Sequence, residues 1–142
     1  DNAFHYVTNL GSLEHYPDIP RGVREMVRVL KPDGRAAILL PNSYYLADIL
    51  WQVWRTGYGP SHQQPLERFA TVGEWSDILS EGGIDILRIH AYNFLFPVRR
   101  KDWQWYRRRP RRFLNLLIAP FVPFNLSYCH LFIGQKPATV AR

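Results

Sequence analysis

Two places in this 142-residue chain hold side chains with the chemistry for a site: an acid and imidazole pair near the start, and a run of arginines interleaved with indoles near the end. Glu14 and His15 are adjacent, and an imidazole titrates near neutral pH, so His15 is the candidate general base. Its competing role is structural, with a ring nitrogen bonding a nearby backbone group. The other histidines, His5, His62, His90 and His130, show none of the paired spacings that hold a metal. A single cysteine, Cys129, excludes an internal disulfide and any cysteine-based zinc site. His62 stands in a glycine- and proline-rich stretch from Thr56 to Leu66, a loop whose side chains could touch a substrate, whereas the other three histidines fall in strand-like segments.

The net charge of +6 is not spread over the chain. Between Pro97 and Arg112 there are eight basic residues and one acid, so the rest of the chain carries a slight negative excess. Such a block points to contact with something anionic. Arg99, Arg100, Trp103, Trp105, Arg107, Arg108 and Arg109 are the candidate contacts. Three partners suit them: an anionic membrane surface, plain solvent with the arginine stems laid over a sheet edge, or nucleic acid. The neighbouring stretch from Phe113 to Leu126 is almost wholly apolar, which lipid explains and RNA does not. Broken by Pro120 and Pro123, it falls short of the roughly twenty apolar residues that a spanning helix needs, so it is expected to lie in the interface.

The elements that must position these groups can be read from periodicity. Phe4 to Leu10 has the composition of a buried strand and stops at Gly11-Ser12. Asp18 caps a helix with Pro20 in its first turn, and Val23, Met26, Val27 and Leu30 form one apolar stripe. Lys31-Pro32-Asp33-Gly34 reads as a turn with glycine at its last position, and Arg35 to Leu40 as a second strand, completing a βαβ unit with parallel strands. Tyr44 to Arg55 is a helix with Leu46, Ile49, Leu50 and Val53 as its packed stripe; being apolar almost all round, it is either deeply buried or covers an apolar surface. Thr71-Val72-Gly73-Glu74 is a capping box for a helix ending at Gly82-Gly83. Two further strands follow, Ile84 to Phe94 and Leu126 to Gln135. In the first of these, Ile84 and Ile86 share one face, and Leu87, Ile89 and Ala91 the other.

The words LGSLEHY at 10–16 and MVRVLKPDGRAAILLPN at 26–42 resemble the second half of the class I S-adenosylmethionine (SAM) dependent methyltransferases of the broad small-molecule type. Asp33 replaces the first glycine of that family's "RVLKPGG" turn. The resemblance implies an α/β fold, a Rossmann-like sheet comprising strands four to seven, with the last strand antiparallel at the sheet edge. It implies SAM as cofactor, met by Asn9, Leu10, Gly11 and Ser12 mostly through backbone, unless these are only a strand-to-loop transition. Asn42, Tyr44 and Tyr45 would line the acceptor pocket, or else form a strand exit and first helical turn. Ubiquinone-type O-methyltransferases of the family have Glu-x-x-Glu-His at the place of Gly11 to His15; with glycine in the first position the carboxylate set is incomplete, and no metal is expected.

The family's glycine-rich loop and ribose-holding acid have no counterpart here, and the chain starts at Asp1 without methionine. The expectation is the C-terminal part of one methyltransferase domain over 1–142, with a substrate-side insertion at 43–70 and a basic aromatic and apolar insertion at 95–125. On that expectation the missing N-terminal half is needed for the cofactor site, and the chain alone is inactive with an open apolar edge. The expected reaction is methyl transfer to a small or lipid-linked acceptor, at oxygen, in a cytoplasmic protein that docks at the inner face of the membrane. The alternatives are a non-catalytic binding module that uses the basic insert and an RNA methyltransferase.

Overall fold

The computed structural model describes residues 1–59, 66–93 and 97–138. Strand β1 (Phe4–Leu10) runs parallel to β2 (Leu30–Pro41), and helix α1 (Ile19–Val29) links them, which is the expected βαβ unit. The Asp18 carboxylate accepts from the Arg21 amide at 2.8 Å and so caps α1, with Pro20 in the first turn. Val23 and Met26 are buried and Val27 packs against the same core.

β1 is an edge strand and not a buried one. It has β2 as its only neighbour among the described residues, and alternation sends Val7 and Asn9 inward while Tyr6 and Leu10 stay largely exposed. A strand covered on one face and paired on one side cannot bury both sets of side chains.

The turn into β2 also differs in detail from its reading. Pairing jumps from Phe4 with Leu30 to Tyr6 with Arg35, so residues 31–34 bulge out of the ladder. The left-handed residue is Asp33, at φ 62°, and not a glycine; aspartate tolerates that region because its short polar side chain can bond locally. Gly34 is needed for space, since a Cβ there would sit 2.7 Å from the Lys31 carbonyl oxygen. Lys136, just past the last strand, closes this corner. Its Nζ donates to the Val27 and Leu30 carbonyls at 2.8 and 2.9 Å, placing a cation at the C-terminus of α1.

After β2, helix α2 spans 46–56 with a π-turn over Ile49–Val53 at its centre. Helix α3 (Val72–Glu81) has the reciprocal capping box: the Glu74 amide donates to Thr71 Oγ1 at 3.2 Å, and the Thr71 amide donates to Glu74 Oε2 at 2.7 Å. Strand β3 (Asp85–Tyr92), helices α4 (Arg100–Arg107) and α5 (Pro110–Ile118), and strand β4 (Cys129–Gln135) complete the order. Phe94, read as the end of the third strand, lies outside the described residues.

The sheet order is β1-β2-β4-β3, with β4 antiparallel to both of its neighbours. The last strand is therefore internal, and β3 takes the edge that the family likeness had assigned to it. The reason is visible in the side chains. Cys129, His130 and Phe132 are buried and need cover on both flanks, whereas β3 carries Asp85, Arg88 and His90, which are exposed and suit an edge. A bulge between Ile86 and Arg88 also shifts the phase of β3, so Ile86 and Ile89, read as opposite, both pack on the core.

That core lies on one face of the sheet. Val23 and Met26 of α1 and Trp75 and Leu79 of α3 meet Leu30, Ile38, Leu40 and Phe132 of the strands, with Leu13 closing the end.

Candidate active site

The strand register gathers the candidate groups at one end of the sheet. Leu10 pairs with Leu39, Pro41 with Cys129, and Cys129 with Tyr92, so the turn after β1, helix α2 and the 93–128 insert leave from the carboxyl ends of β1, β2 and β3, at one end of the sheet. Open α/β sheets bind ligands at this end.

The turn after β1 is held by its own side chains. Asn9 is buried, and its Oδ1 accepts from Ser12 Oγ at 2.7 Å and from the Leu13 amide at 2.9 Å. Gly11 sits at φ 70°, where a side chain would be strained, and Leu10, Gly11 and Ser12 are exposed. Asn9 is thus the brace of the turn, and Leu10 to Ser12 are exposed, with the Gly11 amide donating to the Leu39 carbonyl and the Ser12 carbonyl accepting from the His15 amide.

His15 makes the backbone bond that its structural role calls for. Its Nδ1 lies 2.6 Å from the Leu66 carbonyl oxygen, which can only accept, so Nδ1 carries a proton, and in the neutral ring Nε2 is then the acceptor. Nε2 is 3.7 Å from Glu14 Oε1. The Glu14 side chain is 7% exposed, and its Oε2 has no hydrogen-bond partner among the described residues. Burial pushes the Glu14 carboxyl above its usual range, with a backbone hydrogen bond and His15 pulling the other way.

The sign of the resulting pH dependence follows from the raised value. A carboxyl that holds its proton more tightly when folded stabilises the fold below its ordinary titration near 4.5, and that contribution is lost as pH rises through the folded value. Glu14→Gln is therefore expected to melt at a higher temperature than wild type at pH 8, with the two curves converging toward pH 4. Thermal denaturation followed by circular dichroism across that range checks it, and a constant offset at every pH would contradict it.

Residues 66–70, the end of the segment expected as a substrate-side insertion, form a wall for which no single side chain gave a signal. The Arg68 amide donates to the Glu14 carbonyl at 3.0 Å, the Ser43 amide donates to the Ala70 carbonyl at 3.2 Å, and Asn42 and Ala70 form a parallel bridge. The segment therefore ties the turn after β1 to the exit of β2. It borders a cleft of about 300 Å³ between Glu14, Asp18 and Arg68. A larger groove of about 540 Å³ adjoins it through Tyr16, Pro17 and Asp18 and runs along the flank of α1 past Arg21 and Glu25. The only sequence signal for the 66–70 wall was its place beside the predicted loop. His62 lies outside the described residues.

At the exit of β2, Asn42 is 3% exposed and fully engaged. Its Nδ2 donates to the Asn125 and Ser127 carbonyls at 2.8 and 2.9 Å, and its Oδ1 accepts from the Tyr44 amide at 3.3 Å. Its amide is spent on joining the strand exit to the root of the insert. Tyr45 is buried edge-on against Tyr128, with ring centroids 5.1 Å apart, and burial raises its phenol pKa. Of the three residues read as an acceptor wall, Tyr44 is the exposed one, at 57%.

Helix α2 departs from its reading. None of Leu46, Ile49, Leu50 and Val53 is buried, and Trp51 and Trp54 are 45% and 81% exposed. A packed stripe requires an element to pack against, and α2 projects past the end of the sheet. The helix is therefore the uncovered apolar kind. Its π-turn adds an irregularity of a type frequent at functional sites.

Comparison with known proteins matches this arrangement. A methyltransferase-domain family model covers residues 1–38, the βαβ unit up to Ile38. In solved structures the whole architecture recurs. A SAM-dependent methyltransferase from Mesorhizobium loti superposes with a TM-score of 0.59 at 14% identity, over 96% of this chain and 63% of that one. The fold is that of the class I SAM-dependent methyltransferases.

A second structure with the methyltransferase fold is the 1,6-didemethyltoxoflavin-N1-methyltransferase of Burkholderia thailandensis, solved with 1,6-didemethyltoxoflavin and S-adenosylhomocysteine bound. It superposes with a TM-score of 0.55 at 18% identity, over 96% of this chain and 45% of that one. By sequence, 2-methyl-6-phytyl-1,4-hydroquinone methyltransferase of Arabidopsis thaliana is 36% identical over 75 residues, which is 51% of this chain and 21% of the relative. The chain thus spans about a fifth of that relative's length.

Proposed function

We propose that the protein carrying these residues transfers a methyl group from SAM to a small acceptor with an apolar tail, at an acceptor oxygen. The observation that supports the reading is the exposed apolar face of helix α2, which follows the carboxyl end of β2, the strand paired with β1. The family model over 1–38 supports the activity, and the S-adenosylhomocysteine held by a structural neighbour supports the cofactor. A relative whose name specifies a phytyl-bearing hydroquinone supports an acceptor that is part polar ring and part apolar chain. An anionic membrane surface would supply such an acceptor.

SAM, when bound, supplies an electrophilic methyl group on a sulfonium, so most of the rate comes from alignment and water exclusion. Leu10, Gly11 and Ser12 would hold it through backbone on the side of β1. Leu50, Trp51 and Trp54 would cover the apolar part of the acceptor and keep water from it, with Tyr44 at the polar end. His15 would take the acceptor's proton at Nε2, the nitrogen left unprotonated by the bond from Nδ1 to Leu66. Glu14 Oε1 beside that nitrogen favours the imidazolium that results.

The test is transfer of labelled methyl from SAM to phenolic acceptors with and without an alkyl tail, by the protein that carries these residues. The tailed acceptor is expected to react with the lower KM. His15→Ala is expected to lower kcat by about 10²–10⁴ while S-adenosylhomocysteine affinity, measured by calorimetry, is unchanged. An unaltered kcat in that variant would assign His15 to holding Leu66 alone.

A further inference from the structure

The insert between β3 and β4 folds as a helical hairpin in which charge and apolar surface are sorted. One face of α4 presents Arg100, Trp103, Gln104 and Arg107 at helical spacing, and with Pro110 and Phe113 of α5 these residues line a groove of about 510 Å³. Arg100 and Arg107 stand seven residues apart on that face, about 10 Å along the axis at 1.5 Å per residue. Neither is in a salt bridge among the described residues. Asp102, the only acid between Pro97 and Arg112, is used up at the start of α4, where its Oδ2 accepts from the Val98 and Arg99 amides. Arg109 and Arg112 instead lie over the Trp105 ring, 4.3 and 5.1 Å from its centroid.

The apolar surface runs on from this groove. Leu114, Leu117 and Ile118 share one face of α5 at i, i+3 and i+4, Phe121 ends the 3-10 turn that follows, and the four are 41%, 56%, 38% and 83% exposed. No helix among the described residues is long and apolar enough to cross a membrane. An uncompensated cationic groove next to an uncovered apolar stripe is the complement of an anionic bilayer surface, with phosphate above and acyl chains below. Nucleic acid would satisfy the arginines but leave the stripe in water.

We propose that the α4–α5 hairpin is a docking site for anionic phospholipid, in which Arg100 and Arg107 take the headgroup phosphate in the groove and Leu114, Leu117, Ile118 and Phe121 enter the acyl region. The proposal deepens the reading above, because the hairpin is rooted at the acceptor end. Asn42 binds the Asn125 and Ser127 carbonyls, and Asn93 Oδ1 accepts from the Tyr128 amide at 3.0 Å.

Co-sedimentation of the protein that carries these residues with phosphatidylcholine vesicles, with and without about a quarter phosphatidylserine, tests it at low ionic strength. Binding is expected to favour the phosphatidylserine vesicles and to weaken with added salt. A basic residue near such a surface is worth about fivefold in partitioning, so Arg100→Gln with Arg107→Gln is expected to weaken binding about thirtyfold. The matched pair Arg21→Gln with Arg24→Gln, exposed on α1, removes the same charge and is expected to change binding by less than about threefold. Phe121→Ser is expected to weaken binding to both vesicle types by about tenfold.

Equal losses from the two arginine pairs, no sedimentation of wild type, or displacement of vesicle-bound protein by a single-stranded RNA would each overturn the site. S-adenosylhomocysteine calorimetry on the same protein keeps the two readings apart. Vesicle binding without nucleoside binding would support the docking site and count against methyl transfer. Nucleoside binding without vesicle binding would do the reverse.

Discussion

Trp75→Ala is expected to destabilise the fold by about 3–5 kcal/mol, lowering the melting temperature of a chain this size by about 10–20 °C. Trp75 is fully buried where α3 crosses the end of β2, and its indole Nε1 donates to the Pro41 carbonyl at 2.8 Å. Truncation opens a cavity in the only core among the described residues and leaves that carbonyl without its donor. Trp75→Phe separates the two terms. It keeps most of the volume and loses the hydrogen bond, so about 1–3 kcal/mol is expected. Urea denaturation of both variants is the measurement. A loss below about 1 kcal/mol for the alanine variant would mean that α3 does not seat on the sheet as described.

Asn42→Ala carries the second large effect, because one side chain serves three backbone groups there. Removing it strands the Asn125 and Ser127 carbonyls and the Tyr44 amide in a region where Asn42 itself is almost wholly buried, for an expected cost of about 2–4 kcal/mol. Asn42→Asp is expected to be worse than alanine, since it turns an acceptor toward two carbonyl oxygens where a donor is required. The loss should be local. Hydrogen exchange is expected to speed up at residues 124–128 and 43–46 while the amides of α1 and β1 keep their protection. Both α2 and the hairpin spring from this point, so on the proposed reading the protein that carries these residues is expected to show a raised KM for the acceptor and an unchanged S-adenosylhomocysteine affinity. Uniform loss of protection over the whole sheet would show Asn42 to be a general stabiliser and not a local brace of the strand exit and the insert.

His130 shows how a residue with no visible role in sequence can acquire one from packing. It is fully buried in β4, with Nε2 2.9 Å from the Phe124 carbonyl oxygen, its ring 4.9 Å from that of Phe124, and Nδ1 without a partner among the described residues. Burial holds its pKa below the usual histidine range despite the bond to Phe124. Cys129 beside it is similarly inert, its thiol pushed up to about 12 by burial and by Glu14. The bond from His130 to Phe124 holds the foot of the insert on the sheet.

Local signals were enough for the βαβ unit and for the two helices on the core. Asp18, Pro20 and the Val23–Met26–Val27 stripe act within a few residues of one another, and so does the Thr71–Glu74 capping box, so their outcome is written in adjacent letters. The likeness carried by 10–16 and 26–42 also named the fold from sequence. Whether α2 is covered, which strand takes the edge, and where Ile86 and Ile89 point were decided by contacts between residues far apart in the chain: the pairing of β4 with both β2 and β3, and one bulge in β3. Periodicity reports which side chains share a face, but burial depends on what arrives opposite that face. For the same reason His15 could be singled out by type, whereas the bond that fixes its proton on Nδ1 comes from Leu66, fifty-one residues away, and only the folded chain brings the two together.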